Sequence, residues 1–130
     1  MAIIITPVYA GLLALIFIGL SIMVSIGRGK YSVDIGHGDV QDLEVRIRRH
    51  GNMAEYVPFG LVLMAFAEFQ GLSAVWLHVS GLVLIGGRLI HIFGFGDASS
   101  ATAARIVGSV STHIAFLVPT GFLLWLAFFA

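Results

Sequence analysis

Four long runs of apolar residues, broken by short polar stretches, constrain this chain more than any other feature of it. They span roughly Ile3 to Ile26, Val45 to Phe69, Leu72 to Phe93, and Thr102 to residue 128. A helix needs about 20 mainly apolar residues to cross hydrocarbon some 30 Å thick, because it rises about 1.5 Å per residue. Each run meets that length. The chain is 58% hydrophobic and only 11% charged, which places it outside the soluble class and makes lipid its expected solvent. Segments this long exclude a membrane β-barrel, whose strands need about 10 residues. The expectation is an all-α, up-and-down four-helix bundle, one membrane-embedded domain over residues 1–130. The stretch from Met1 to Ile26 lacks a basic leader and is too long for a signal's apolar core, so it reads as a retained helix.

Charge and cysteine content narrow the chemistry. Seven basic and seven acidic residues cancel, leaving no basic field to hold nucleic acid. The chain has no cysteine, which excludes disulfides, thiolate metal sites and a cysteine nucleophile. No metal site is expected. A nucleophile, if the chain uses one, must arrive on a ligand or come from another residue type.

The basic residues are asymmetric. Arg28, Lys30, Arg46, Arg48 and Arg49 surround the first connection, and Arg88 and Arg105 the third. The second connection and both termini have none. Positive charge marks the cytoplasmic side of short loops, so connections one and three are expected inside and both termini outside. The second and third runs are joined by little more than Gln70 and Gly71, a tight antiparallel hairpin. Gly11, Gly19, Gly60, Gly81, Gly86 and Gly87 would permit close helix approach.

Polar residues gather at the cytoplasmic end. Arg48, Asn52, Glu55 and Tyr56 recur at helical spacing on one face of the second run. A carboxylate there should face the bundle interior, and pairing with Arg48 or Arg88 would make it a helix staple. Arg88 and His91 share a face at the end of the third run, Arg105 opens the fourth, and Arg28 closes the first. One acid among several cations leaves surplus positive charge that a staple does not require. An anionic ligand would consume it, and arginine's planar fork suits carboxylates. His50, beside Arg49, either touches that ligand or sits at the surface.

The segments RRHGNMAEYVPF (Arg48 to Phe59) and GRLIHIFGF (Gly87 to Phe95), followed by Arg105, resemble the MAPEG family, the membrane-associated proteins of eicosanoid and glutathione metabolism. Its pattern of Arg, Asn four on, Glu three further and Pro three after that is met by Arg48, Asn52, Glu55 and Pro58. The resemblance covers essentially the whole chain. It implies a homotrimer in a bacterial inner membrane, binding glutathione between subunits near the cytoplasmic face. Arg48, His50, Asn52, Glu55 and Tyr56 would line the tripeptide, with Glu55 taking its amino group. Arg28 would hold a carboxylate, Arg88, His91 and Phe95 would contact or brace the ligand, and Arg105 would stabilise the thiolate. A free thiol ionises near pH 8.5, about the value for cysteine. A fixed guanidinium lowers that pKa, so the sulfur could attack a lipophilic electrophile or reduce a hydroperoxide arriving from the membrane lipid. Two departures bear on activity. Phe95 stands where many members carry tyrosine, and Ile106 where prostaglandin E synthase types carry serine. The implied function is a glutathione-dependent transferase or peroxidase, with a non-catalytic glutathione- or lipid-binding member as the alternative.

Two rival readings fare worse. A small multidrug transporter needs a carboxylate at mid-membrane, yet Glu55 and Glu68 lie near opposite ends of the second run. A haem bundle needs two histidines at one depth, yet His78 lies about 22 Å and His113 about 12 Å from the cytoplasmic ends of their helices. His113 reads as a packed interior residue, His78 as interfacial and His37 as solvated. Trp76 and Trp125 fall near the outer boundary, where indoles favour the interface.

Overall fold

The computed structural model describes residues 2–94 and 102–129. Four helices account for nearly all of them: α1 (Ile5–Tyr31), α2 (Gln41–Phe69), α3 (Ala74–Phe93) and α4 (Ala103–Phe129). Helices α1, α3 and α4 are long and apolar enough to cross a membrane. Helix α2 falls short of that standard because its first half carries the charged segment, so composition alone leaves its crossing open. Both α1 and α2 extend past the apolar runs into the polar connection. The last turn of α1 holds Arg28 and Lys30, and the first turn of α2 holds Asp42 and Glu44, each sign matched to its end of the helix dipole.

The antiparallel order places both ends of the described chain at one end of the bundle, and the first connection with the end of α3 and the start of α4 at the other. Helix α2 packs beside α1, α3 and α4, and α3 also meets α1 and α4, while α1 and α4 do not touch among the described residues. Helices α2 and α3 therefore form the inner diagonal. The core is built from Tyr9, Leu13, Leu20, Met53, Val57, Met64, Leu84 and Ala115. Apolar side chains also cover the outside of every helix, among them Leu15, Phe66, Leu82 and Leu117, as expected where lipid rather than water surrounds the protein.

The α2–α3 hairpin has a local cause. The Leu72 amide donates to the Ala67 carbonyl and the Gly71 amide to the Glu68 carbonyl, a helix stop that requires a left-handed residue. Gly71, with φ +93°, supplies it. Of the six glycines expected at helix contacts, three are so used. A Cβ at Gly60 would meet Phe116, one at Gly81 would meet the Tyr9 ring, and one at Gly87 would meet Ser111 and the Gly108 carbonyl. Gly11, Gly19 and Gly86 instead face open space. Gly108 belongs to the contact set, because a Cβ there would lie 2.6 Å from the Gly87 oxygen and from His91. The Gly87–Gly108 pair brings α3 and α4 into backbone contact at the charged end.

Candidate functional site

The polar cluster is assembled around Arg88. Its helix turns the side chain inward, where it is 2% exposed; α2 and α4 supply acceptors to its two terminal nitrogens, while Nε is buried without a partner among the described residues. Nη1 donates to Oδ1 of Asn52 at 3.2 Å, and Nη2 donates to the Gly108 carbonyl at 3.0 Å. The guanidinium also lies 5.7 Å from the centre of the Tyr56 ring, within cation–π range. The glycine at 108 exposes that carbonyl by allowing close approach, and the Thr112 hydroxyl donates to the same oxygen. A buried cation survives here because polar groups from two other helices surround it.

Glu55 departs from the expected staple. It is exposed on the outer face of α2 and, among the described residues, forms no ion pair with Arg48 or Arg88. The reason is that Arg88 is engaged by the Asn52 amide and a backbone carbonyl, both nearer the bundle axis. Arg48 is exposed on the same α2 face. Tyr56 is half-buried, and its ring meets His113 edge-on with centroids 5.8 Å apart. His113 is thus not the interior residue expected: it is exposed on the single chain, and its Nδ1 lies 2.9 Å from the Ser109 carbonyl.

The remaining predicted residues occupy the same end in different roles. His91 is buried at 6% exposure, packed against Gly108. Arg105 is half-buried in the first turn of α4. Its amide donates to the Thr102 hydroxyl, which donates in turn to the Gly94 carbonyl. Thr102 thereby caps α4 and fixes its start against the end of α3. His50 is half-buried, its ring 4.6 Å from that of Phe17, a packing contact between α2 and α1. Arg28 turns toward the first connection, where Nη1 donates to the carbonyls of Val33, Asp34 and Gly36. Phe95 lies outside the described residues.

Beside this cluster, α1 and α2 leave an open apolar groove of about 230 Å³ between Ala10, Ala14 and Phe17 on one wall and Met53, Ala54 and Pro58 on the other. Its α2 wall includes Ala54, the residue before Glu55. Three histidine, aspartate or glutamate side chains placed to share a metal are not found among the described residues.

Sequence reasoning missed the polar group that closes the opposite end. Glu68 is 6% exposed and accepts backbone N–H bonds from Ile4, Ile5 and Thr6 at 2.6, 2.6 and 2.7 Å. It caps the first turn of α1 from the last turn of α2. Close by, the Tyr9 hydroxyl lies 2.9 Å from Nδ1 of His78, joining α1 to α3. The signal in the sequence was the length of α1, whose start lacks a local capping side chain and so needs a partner from elsewhere.

A sequence model described as the MAPEG family matches residues 6–129. The inner membrane protein YecN of Escherichia coli strain K12 is 41% identical over 91 residues, covering 70% of this chain and 70% of that protein. The protein of the same name from Escherichia coli O6:H1 strain CFT073 matches to the same extent. No solved structure matches the chain.

Proposed function

The chain belongs to the MAPEG family, and on that footing we propose that it is a glutathione-dependent membrane transferase or peroxidase. The observation that carries this reading is Glu55. It is a carboxylate without an ion pair among the described residues, one helical turn from Asn52 and next to Tyr56, both held by the buried cation of Arg88. Such a pair of groups suits a zwitterionic end: Glu55 would receive an ammonium and the Asn52 amide a carboxylate. Arg105 stands in the first turn of α4, where the helix dipole adds to its charge, and a thiol brought there would ionise more readily. Arg48 would neutralise a further ligand charge. Arg28 would reach a carboxylate with the guanidinium edge that the connection leaves unused.

The exposure of Arg48 and Glu55 supports a homotrimer. Charged side chains on the outer face of a crossing helix are costly against lipid, and a neighbouring protomer would cover them and complete the ligand site. The apolar groove beside Glu55 would admit the lipophilic second substrate. We place α2 across the membrane with the other three helices, both termini outside and the site facing the cytoplasm of a bacterial inner membrane, as the basic asymmetry supports.

A non-catalytic binding role is the second reading, favoured by the phenylalanine at position 95 and the isoleucine at 106. Transport is weaker: Glu68 is consumed by three backbone amides, which takes that carboxylate out of any proton relay. The deciding experiment titrates detergent-solubilised protein with glutathione while following thiolate absorbance and turnover of generic electrophiles and hydroperoxides. The thiolate signal should appear in the wild type and fall in Arg105→Ala. A signal unchanged in the variant removes Arg105 from the reaction, and binding without turnover selects the non-catalytic role.

A further inference from the structure

We infer that Arg88 is a positioning residue that fixes which way the Asn52 carboxamide points, and through it makes the site select a carboxylate. This rests on the glutathione reading above and names what Asn52 contributes to it. Arginine is donor-only, so the atom of Asn52 facing Nη1 must be the oxygen, as its 3.2 Å bond shows. The Asn52 amide nitrogen is therefore the edge not taken by Arg88, and with the residue half-buried its two N–H groups are the ones left for a ligand. An asparagine free to flip would accept or donate with equal ease. With Oδ1 held on Nη1, this one keeps its donor edge for what binds there.

Arg88 itself is held from rotating. Nη2 is bonded to the Gly108 carbonyl, the Tyr56 ring covers the guanidinium, and the side chain is 2% exposed. It acts on ligand through Asn52 and Tyr56, without reaching solvent. Asn52 then lies one turn from Glu55 as a donor beside an acceptor, and their order along α2 sets the direction in which an amino-acid end can bind.

The test uses full-length protein in detergent, with glutathione and its two monoamides, each of which neutralises one carboxylate. Wild type should bind one monoamide about tenfold more weakly than glutathione, the loss expected for one charge-assisted hydrogen bond. In Arg88→Gln, residue 52 can present either edge. Affinity for glutathione should fall about tenfold while that for the sensitive monoamide stays within about twofold, so that discrimination disappears. Arg88→Lys, which keeps the charge and a donor for Asn52, should restore part of the discrimination. An equal loss for all three ligands in Arg88→Gln would mark Arg88 as merely structural and overturn the proposal. A ligand-free arm separates this from the glutathione reading. The Asn52 side-chain NH2 resonances, assigned by their loss in Asn52→Asp, should shift in Arg88→Gln. Failure of wild type to bind glutathione removes the glutathione reading alone; an unshifted Asn52 signal overturns the amide orientation whatever binds.

Discussion

Two glutamates of helix α2, Glu55 at its middle and Glu68 in its last turn, are used in opposite ways. Glu68 is buried, and its carboxylate accepts three amides of the first turn of α1. Glu55 is exposed and, among the described residues, makes no ion pair. The difference is one of supply. At the Glu68 end the start of α1 brings unpaired N–H groups that need an acceptor. Around Glu55 the nearby buried donor, Arg88, is already engaged by Asn52 and Gly108. A carboxylate consumed within the chain holds the fold together, whereas one left over is available to a ligand. Loss of Glu68 should therefore cost stability and loss of Glu55 should cost binding.

The largest effect is expected from Glu68→Ala. Removing the acceptor leaves three partly buried amides unsatisfied and should lower unfolding stability by about 3 kcal/mol. Denaturation in detergent would measure this, and glutathione affinity of the protein that remains folded should be unchanged. A variant as stable as wild type would erase the contrast between the two glutamates. Next is Gly108→Ala, at the charged end but in the packing beneath the site. Its Cβ would sit 2.6 Å from backbone atoms of Gly87 and His91, atoms that yield poorly, so α3 and α4 must separate at a cost of about 1–3 kcal/mol. Because Arg88 bonds the Gly108 carbonyl, this substitution should also weaken glutathione binding, which Glu68→Ala should not. Glu55→Gln should change stability by no more than about 0.5 kcal/mol while lowering glutathione affinity about tenfold. A large stability loss there would mean that Glu55 is a structural group after all.

How far the sequence discloses these arrangements depends on whether a contact is local. Helix number and order follow from the apolar runs, and the α2–α3 hairpin from Gln70 and Gly71, because each rests on neighbours in the chain. The gathering of Arg48, Asn52, Glu55, Tyr56, Arg88, His91 and Arg105 at one end follows from helical spacing and antiparallel order. Which of them pair does not. Periodicity puts Glu55 and Asn52 on adjoining turns, but the packing of α2 against α3 decides that Arg88 meets the amide and not the acid. Nη1 of Arg28 turns to carbonyls of its own connection, a choice set by loop geometry at Ser32, Gly36 and Gly38, all at positive φ. The Glu68 cap joins residues 62 to 64 positions apart, beyond the reach of any local pattern. His113 is exposed for a related reason: helical phase gives the side of α4 it occupies, but only the packed bundle tells which sides are covered.

The smallest expected effect lies at the polar connection, where Asp42 offers a third case, an acid that is paired yet solvated. Arg46 donates to it at 2.9 Å and the Tyr31 hydroxyl at 3.0 Å. These bonds, Arg46 first, hold its pKa below the ordinary value of 3.8. A carboxylate whose folded pKa is depressed stabilises the fold fully above its unfolded value and loses that contribution as pH falls through the lower folded value. With 47% of the Asp42 side chain exposed, solvent screens the pair, and Asp42→Asn should cost less than about 0.5 kcal/mol at neutral pH. The gap between wild type and variant should close below pH 3.8 and shrink in high salt. A gap that persisted in acid would place Asp42 with Glu68, as an acceptor that the fold needs, rather than as a surface ion pair beside an open site.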